Sequence, residues 1–156
     1  MKTKIILSLL GLLFISGDFI GGCDEEEPKA DYITVNITIQ GWVNEIDSLN
    51  APPNSTSCTE VCKNHQVKVK IQKAQGETFE EFKVTNDACS FNSTGASFKL
   101  YREQPIEMWA SSKNDIPGYT EYGAYRIITW YAVYPAYDFG DTYNHYQAME
   151  LFVVPE

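Results

Sequence analysis

The sequence predicts an all-β fold, an antiparallel β-sandwich of about seven strands. Ile33, Val35, Ile37 and Ile39 alternate strictly with polar residues, and period-two alternation of β-branched residues is typical of a half-buried strand. Short apolar segments with turn residues between them recur along the rest of the chain. Apolar residues at helical spacing are almost absent after residue 31, which favours a sandwich over a fold with helical crossovers.

The first strand covers residues 31–40 and is interrupted at Gly41. A loop follows at residues 48–57, where Pro52 and Pro53 cannot donate to a strand ladder.

Residues 66–71 and 79–85 form the next two strands, which are joined by a turn that we centre between Gln75 and Gly76. The pairs that this centre predicts are Val67–Val84 and Val69–Phe82, with Cys62 opposite Cys89 just beyond the strands. The remaining predicted strands are residues 96–102, 106–110, 125–134 and 146–153.

These strands resemble the transthyretin-like (prealbumin-like) domains, including the carboxypeptidase regulatory-like domains. The residues that carry the resemblance are the segment 35–43, which contains Gly41-Trp42-Val43, the strands 67–69 and 82–85, and Gly95 before Phe98. The resemblance covers about the first two thirds of the chain after the signal segment and implies a prealbumin-like sandwich. An immunoglobulin-like sandwich is the alternative.

The N-terminus has the pattern of a secretory signal. Basic Lys2 and Lys4 precede an apolar segment, residues 5–15, that is about ten residues long. A membrane-spanning helix needs roughly 20 apolar residues, so we expect residues 1–22 to be removed.

The end of this segment, Ile20-Gly21-Gly22-Cys23, resembles the bacterial lipoprotein box. The resemblance implies that the Cys23 thiol is linked to a diacylglycerol and becomes the new N-terminus. Acyl chains such as palmitate each add roughly 0.8 kcal/mol of membrane affinity per buried methylene, and two chains anchor a protein stably.

Four acidic residues follow at 24–27. Like charges repel and keep such a segment extended, so residues 23–31 are predicted to be a lipidated tether before a domain at 32–156. Acidic residues in this position resemble the export signal of surface lipoproteins of the Bacteroidota, which implies an outer-membrane anchor with the domain exposed at the cell surface. In enteric bacteria, Asp24 would instead resemble an inner-membrane retention signal.

The formal net charge of −9 argues against nucleic acid as a partner, because such binding depends on Lys and Arg at phosphates. We therefore expect no contact with nucleic acid.

Three cysteines remain beside Cys23. An exported protein permits disulfides, and the predicted hairpin favours Cys62–Cys89, with Cys58–Cys89 as the alternative. A zinc site built from these three cysteines and His65 is a weaker alternative.

Catalysis has little support in the sequence. His145 follows Asp138 and Asp141, but such a segment is more often turn chemistry. Asp138, Asp141 and Asn144 are a weak calcium alternative, since their spacing is not that of a known calcium loop. We expect no enzyme activity, no metal, and no cofactor beyond the covalent lipid.

Aromatic residues concentrate in the C-terminal third, and such side chains are used at protein interfaces and on sugar-binding surfaces. The Tyr-rich segment 111–123 is expected to be a loop that forms part of the contact surface. The candidate contact residues are Tyr119, Tyr122, Trp130, Tyr134, Tyr137 and Tyr143. The sequence thus predicts an accessory subunit of an outer-membrane protein complex, for example a nutrient transporter. The alternative is a glycan-binding module in which Asp138, Asp141 and Asn144 bond sugar hydroxyls.

Overall fold

A computed structural model of the chain describes residues 30–47, 56–73 and 76–156. The signal segment 1–22, Cys23 and the acidic residues 24–27 lie outside the described residues, so a lipidated N-terminus stays a prediction. Within the described ranges, no helix is long and apolar enough to cross a membrane.

The fold class is confirmed, since the described residues form two packed sheets made mainly of antiparallel strands. The strands are β1 (Ile33–Glu45), β2 (Gln66–Lys73), β3 (Thr78–Val84), β4 (Ser90–Asn92), β5 (Ala96–Leu100), β6 (Ile106–Ser112), β7 (Tyr119–Tyr122), β8 (Ala124–Ile128) and β9 (Thr142–Pro155). A 3₁₀ turn at Glu60–Cys62 and one helical turn, α1 (Trp130–Val133), complete the described elements.

The first sheet has the order β4-β1-β9-β7, and β5 pairs with β1 beside β4. β1 and β9 run parallel from the pair Thr34–Thr142 to the pair Glu45–Val153, which is a departure from the expected antiparallel arrangement. β7 pairs with the end of β9, so the segment 111–123 is not simply the loop expected from the sequence. Tyr119 and Tyr122 therefore lie on a strand.

The second sheet has the order β3-β2-β6-β8. Gly123 separates β7 in the first sheet from β8 in the second, so the chain changes sheets there. A Cβ atom at Gly123 would lie 2.7 Å from the carbonyl oxygen of Ala110. The close approach of the Gly123 backbone to β6 therefore requires a residue without a side chain.

The core lies between the two sheets, and the alternation predicted for β1 is confirmed. Ile33, Val35, Ile37 and Ile39 are each at most 1% exposed. They belong to one core cluster with apolar residues of the neighbouring strand β9 and of the second sheet, namely Met149, Leu151, Val67, Val69, Ile71, Ile106 and Met108. Burying apolar area of this kind is the main favourable contribution to folding.

The predicted register of the β2–β3 hairpin is wrong by one residue. Val67 pairs with Lys83 and Val69 with Glu81, because the Lys73 N–H donates to the Glu77 carbonyl and the loop between them has an odd number of residues. A one-residue shift moves every side chain of a strand to the other face. The shift turns Phe82 outward, where it is 54% exposed.

The strand predicted at residues 125–134 is also wrong in its second half. β8 ends at Ile128, which pairs with Ile106, the first residue of β6. Pro105 precedes that residue and has no N–H to extend the ladder, so the chain turns into α1 instead.

The disulfide joins Cys58 to Cys89, with their Cα atoms 5.6 Å apart. The preferred pairing Cys62–Cys89 is therefore wrong and the alternative is right. The 3₁₀ turn directs Cys62 into the core, where it is a free thiol with 0% exposure.

Candidate functional site

The predicted contact aromatics do not form one surface. Trp130 is 1% exposed, so its assignment as a contact residue is corrected: its ring completes the core. Tyr119, Tyr137 and Tyr143 are half-buried and pack against the core.

Tyr122 and Tyr134 are more exposed, at 38% and 45%, but they lie at opposite ends of the sandwich. Tyr122 pairs with Phe152 near the end of β9, whereas Tyr134 follows α1 and stacks on Trp130 with ring centroids 5.9 Å apart.

The oxygens proposed for calcium serve the chain itself. The Asp138 N–H donates to Asp141 Oδ2 at 2.8 Å, and Asp138 Oδ1 accepts from the Phe139 N–H at 2.7 Å. Asn144 lies in β9, and its Oδ1 accepts from Asn36 Nδ2 at 3.0 Å. In the part of the chain that the structure describes, no group of three His, Cys, Asp or Glu side chains is arranged to hold a metal ion.

His145 contacts its neighbours in β9. Its Nδ1 lies 3.0 Å from the Tyr143 hydroxyl and its Nε2 lies 3.2 Å from Gln147 Oε1. These contacts use both ring nitrogens, so this histidine is not paired with Asp138 or Asp141. The zinc alternative has lost two of its thiolates to the Cys58–Cys89 disulfide.

His65 belongs to a buried polar cluster that the sequence did not suggest. Its Nε2 lies 2.7 Å from Ser112 Oγ and 3.8 Å from Glu121 Oε2. Burial lowers the pKa of His65 and raises the pKa of Glu121. In a Ser-His-acid triad the acid orients the imidazole through Nδ1, whereas here both partners approach Nε2. The cluster thus connects the two sheets and differs in geometry from a Ser-His-acid triad.

The outer face of the second sheet carries an exposed apolar surface, which we call the aromatic face. It consists of Phe82 and Val84 on β3, Trp109 on β6, and Tyr125 and Ile127 on β8. Apart from the half-buried Trp109, these side chains are between 45% and 54% exposed. The solvent face of an antiparallel sheet is usually polar, so exposed apolar side chains in this number are unusual for such a face.

A groove of about 440 Å³ runs across the aromatic face between Lys68, Lys70, Trp109 and Tyr125. The rings of Trp109 and Tyr125 are tilted, with centroids 5.4 Å apart, and Lys70 Nζ lies 5.2 Å from the Trp109 ring.

The groove wall is held in place by a short hydrogen bond. The Tyr125 hydroxyl donates to Glu107 Oε1 at 2.6 Å, which raises the pKa of Tyr125. A second cation lies over the other end of the face, where Lys113 Nζ is 4.8 Å from the Phe82 ring. The rings are therefore bordered by amines.

Two charged side chains of the edge strand β3 lie on its half-buried face. In β3, Glu81 Oε1 lies 2.7 Å from Lys83 Nζ, and both residues are on the half-buried face. In β8, Arg126 pairs with Met108 but is exposed, and its guanidinium donates to the Tyr125 carbonyl at 2.7 Å. Inward-pointing charges on an edge strand discourage pairing with another chain through that edge.

Sequence reasoning placed Phe82 and Val84 on the wrong side of β3 because it used the wrong hairpin register. The usable signal was Gly76, whose φ of +90° suits the last position of a three-residue turn. A turn of that length places Phe82 and Val84 on the outer face, beside Lys68 and Gln66.

Comparison with known proteins adds no assignment to this site: the chain matches no family model, no curated protein and no solved structure.

Proposed function

We propose that the protein is a lipid-anchored, non-catalytic binding subunit that attaches to an outer-membrane protein complex, such as a nutrient transporter, through its aromatic face. The observation that carries the proposal is the set of exposed apolar side chains on one outer face, which lie on β3 and on β6 and β8, on either side of β2 with its Lys68 and Lys70.

The composition of the face supports a protein partner. Aromatic residues are enriched at the buried centre of protein interfaces, and Trp and Tyr are frequent where truncation weakens binding most. Trp109 and Tyr125 form such a pair beside a groove that can receive a partner side chain.

Charge defines the partner further. Although the chain has a net charge of −9, Lys70 and Lys113 lie over the rings of the face. A partner surface that combines apolar side chains with carboxylates is complementary to this arrangement, and complementary charge sets the orientation of a complex.

The proposed non-catalytic role is supported by the chemistry of the histidines. His65 is 8% exposed and contacts Ser112 and Glu121 through one nitrogen. His145 contacts a tyrosine hydroxyl and an amide, and neither is a carboxylate that could orient the ring as the acid of a catalytic triad does.

The attachment is tested by mild-detergent extraction of the native protein from membranes, followed by mass spectrometry of what co-purifies in fixed stoichiometry. We expect one membrane partner with the wild type, and its loss when Ile127→Asp or Trp109→Ala alters the face. Tyr131→Asp is the matched control, because Tyr131 is 76% exposed but lies outside the aromatic face.

Two outcomes contradict the attachment: extraction of the wild type without a stoichiometric partner, or retention of the partner in both face variants. The anchor is tested separately by the intact mass of the membrane-extracted chain. A mass that begins at Cys23 and includes a diacylglycerol is expected, and Cys23→Ser should release the protein from the membrane.

A further inference from the structure

The outer face of the first sheet contains a second groove, on the opposite side of the molecule from the aromatic face. β1 lies between β4 and β9 there, and Gln40 pairs with Asn92 on one side and with Ala148 on the other. Thr38 pairs with Tyr146 at the neighbouring outward position. Three strands thus present their outward side chains to one shallow depression.

The depression measures about 360 Å³, within the range of roughly 300–1,000 Å³ that is common for ligand clefts. Ala148 forms its floor, because a methyl group stands where neighbouring positions carry larger side chains. Tyr146 forms a wall and is 79% exposed. Because so little of the ring is buried, it contributes little to the stability of the fold, and its apolar area can still be buried by a ligand.

The residues lining this groove are all uncharged: Thr38, Gln40, Asn92, Tyr146, Gln147 and Ala148. Amide side chains both donate and accept hydrogen bonds, and so does a threonine hydroxyl. The groove therefore combines one exposed aromatic surface with several neutral hydrogen-bonding groups, and it has no charge with which to select an anion or a cation.

We infer that this groove binds a neutral carbohydrate, with a sugar ring stacked on Tyr146 and its hydroxyls bonded to Gln40, Asn92 and Thr38. A pyranose has the matching chemistry, because its ring presents apolar C–H groups on one face and hydroxyls around its rim. The side chain of Tyr is amphipathic in the same sense, with an apolar ring and a polar tip.

Toward the start of β1 the neutral surface continues along the strands, which suits an oligosaccharide better than a single sugar, whereas Glu150 follows Ala148 at the next outward position of β9 in the other direction. At the next outward position beyond the Thr38–Tyr146 pair, the amide of Asn36 donates to the amide of Asn144 at 3.0 Å. This hydrogen bond orders the two amides before a ligand arrives, and preordered groups lose less entropy on binding.

The test is isothermal titration of the full chain in a detergent without a sugar headgroup. The probes are maltohexaose, cellohexaose, xylohexaose and mannohexaose, with heparin as a charged polysaccharide. We expect at least one neutral hexaose to bind. Tyr146→Ala should weaken that binding about tenfold or more, whereas Tyr146→Phe, which keeps the ring, should stay within about threefold.

Two further variants distinguish binding in the groove from nonspecific binding to any exposed tyrosine. Ala148→Leu keeps the Tyr146 ring but fills the floor, and we expect it to abolish binding. Tyr131→Ala is the matched control, because Tyr131 is 76% exposed against 79% for Tyr146, and it should bind like the wild type. Circular dichroism of each variant confirms that the sandwich is folded.

The inference is overturned if none of the four neutral hexaoses binds, if heparin alone binds, or if Tyr146→Ala binds as tightly as the wild type. The test is independent of the proposed attachment, because the groove and the aromatic face lie on opposite sheets. Ile127→Asp, which is designed to disrupt partner attachment, should therefore leave hexaose binding unchanged.

Discussion

Oε2 of Glu121 lies 3.8 Å from Nε2 of His65, and this contact joins the two sheets at one end of the sandwich. Glu121 is on β7 of the first sheet, and His65 precedes β2 of the second. Oε1 of Glu121 accepts from the Ile116 N–H at 2.7 Å, whereas the buried Oε2 has no hydrogen-bond partner among the described residues. A buried polar atom without a partner destabilises the folded state.

Glu121→Gln is expected to raise the free energy of unfolding at pH 7 by about 1 kcal/mol. Burial raises the pKa of Glu121 above its ordinary value of 4.5, so the folded state disfavours the ionised form. The penalty is therefore present above the folded pKa and absent below about pH 4.5. Urea denaturation from pH 4 to pH 8 measures the difference between variant and wild type, which should shrink toward pH 4. Glu80→Gln, at a more exposed position, is the control, and a difference that is constant with pH would contradict this account.

Cys58→Ala is expected to lower the free energy of unfolding by about 3–4 kcal/mol, because the disulfide closes a long loop in the unfolded chain. The two bonded cysteines are 31 residues apart. Cys62→Ala, in the same segment, removes only a small buried group and should lower the free energy of unfolding by about 1 kcal/mol. Proteolysis without reductant, followed by mass spectrometry, should recover a peptide pair that contains Cys58 and Cys89. A pair that contains Cys62 and Cys89 would disprove the assignment.

Trp130→Ala is expected to destabilise the protein by about 3–5 kcal/mol, the usual effect of removing a large aromatic side chain from a core. The Trp130 ring contacts Phe139 at a centroid distance of 4.7 Å and lies under the Arg102 guanidinium at 5.8 Å. Tyr131→Ala, at the next position, should change the stability by less than about 0.5 kcal/mol. Chemical denaturation of the two variants distinguishes core from surface, and equal stabilities would show that Trp130 is not part of the core.

Gly41→Ala is expected to destabilise the sandwich by about 1–3 kcal/mol through overpacking. Gly41 pairs with Phe91 across β1 and β4, and the Phe91 ring covers the glycine so closely that a Cβ atom would overlap it. The double variant Gly41→Ala with Phe91→Leu should recover part of the loss, because the smaller side chain makes room. Thermal unfolding of the two single variants and the double variant provides the measurement. If the changes in stability of the two single variants simply add in the double variant, the introduced methyl group and the Phe91 ring do not interact.

The sequence predicted best those features of the fold that depend on residues close together along the chain. The alternation from Ile33 to Ile39 gave the correct core face of β1, because a half-buried strand must place its apolar residues on one side. The hairpin between β2 and β3 was also located correctly. The register of this hairpin was predicted wrongly, because it depends on whether the turn is centred on a residue or between two residues.

What the sequence did not reveal depends on residues that are distant along the chain. The aromatic face needs β3 and β8 placed on opposite edges of one sheet, and no local pattern specifies that order. Trp130 was expected at the surface because Tyr125 to Tyr134 alternate as a strand would. In the structure, β6 begins at Ile106 and leaves the second half of that segment without a partner strand, so Trp130 turns into the core.

The parallel pairing of β1 with β9 determines when the domain can complete its folding. Among the described residues β1 is the first strand and β9 the last, and the hydrogen-bonded pair Asn36 and Asn144 lie 108 positions apart in the sequence. Contacts between residues so far apart slow the search for the native state. A chain emerging from the ribosome therefore lacks the central neighbour of β1 until its final strand has been made, and a truncation before Thr142 would remove the middle of a sheet instead of its margin.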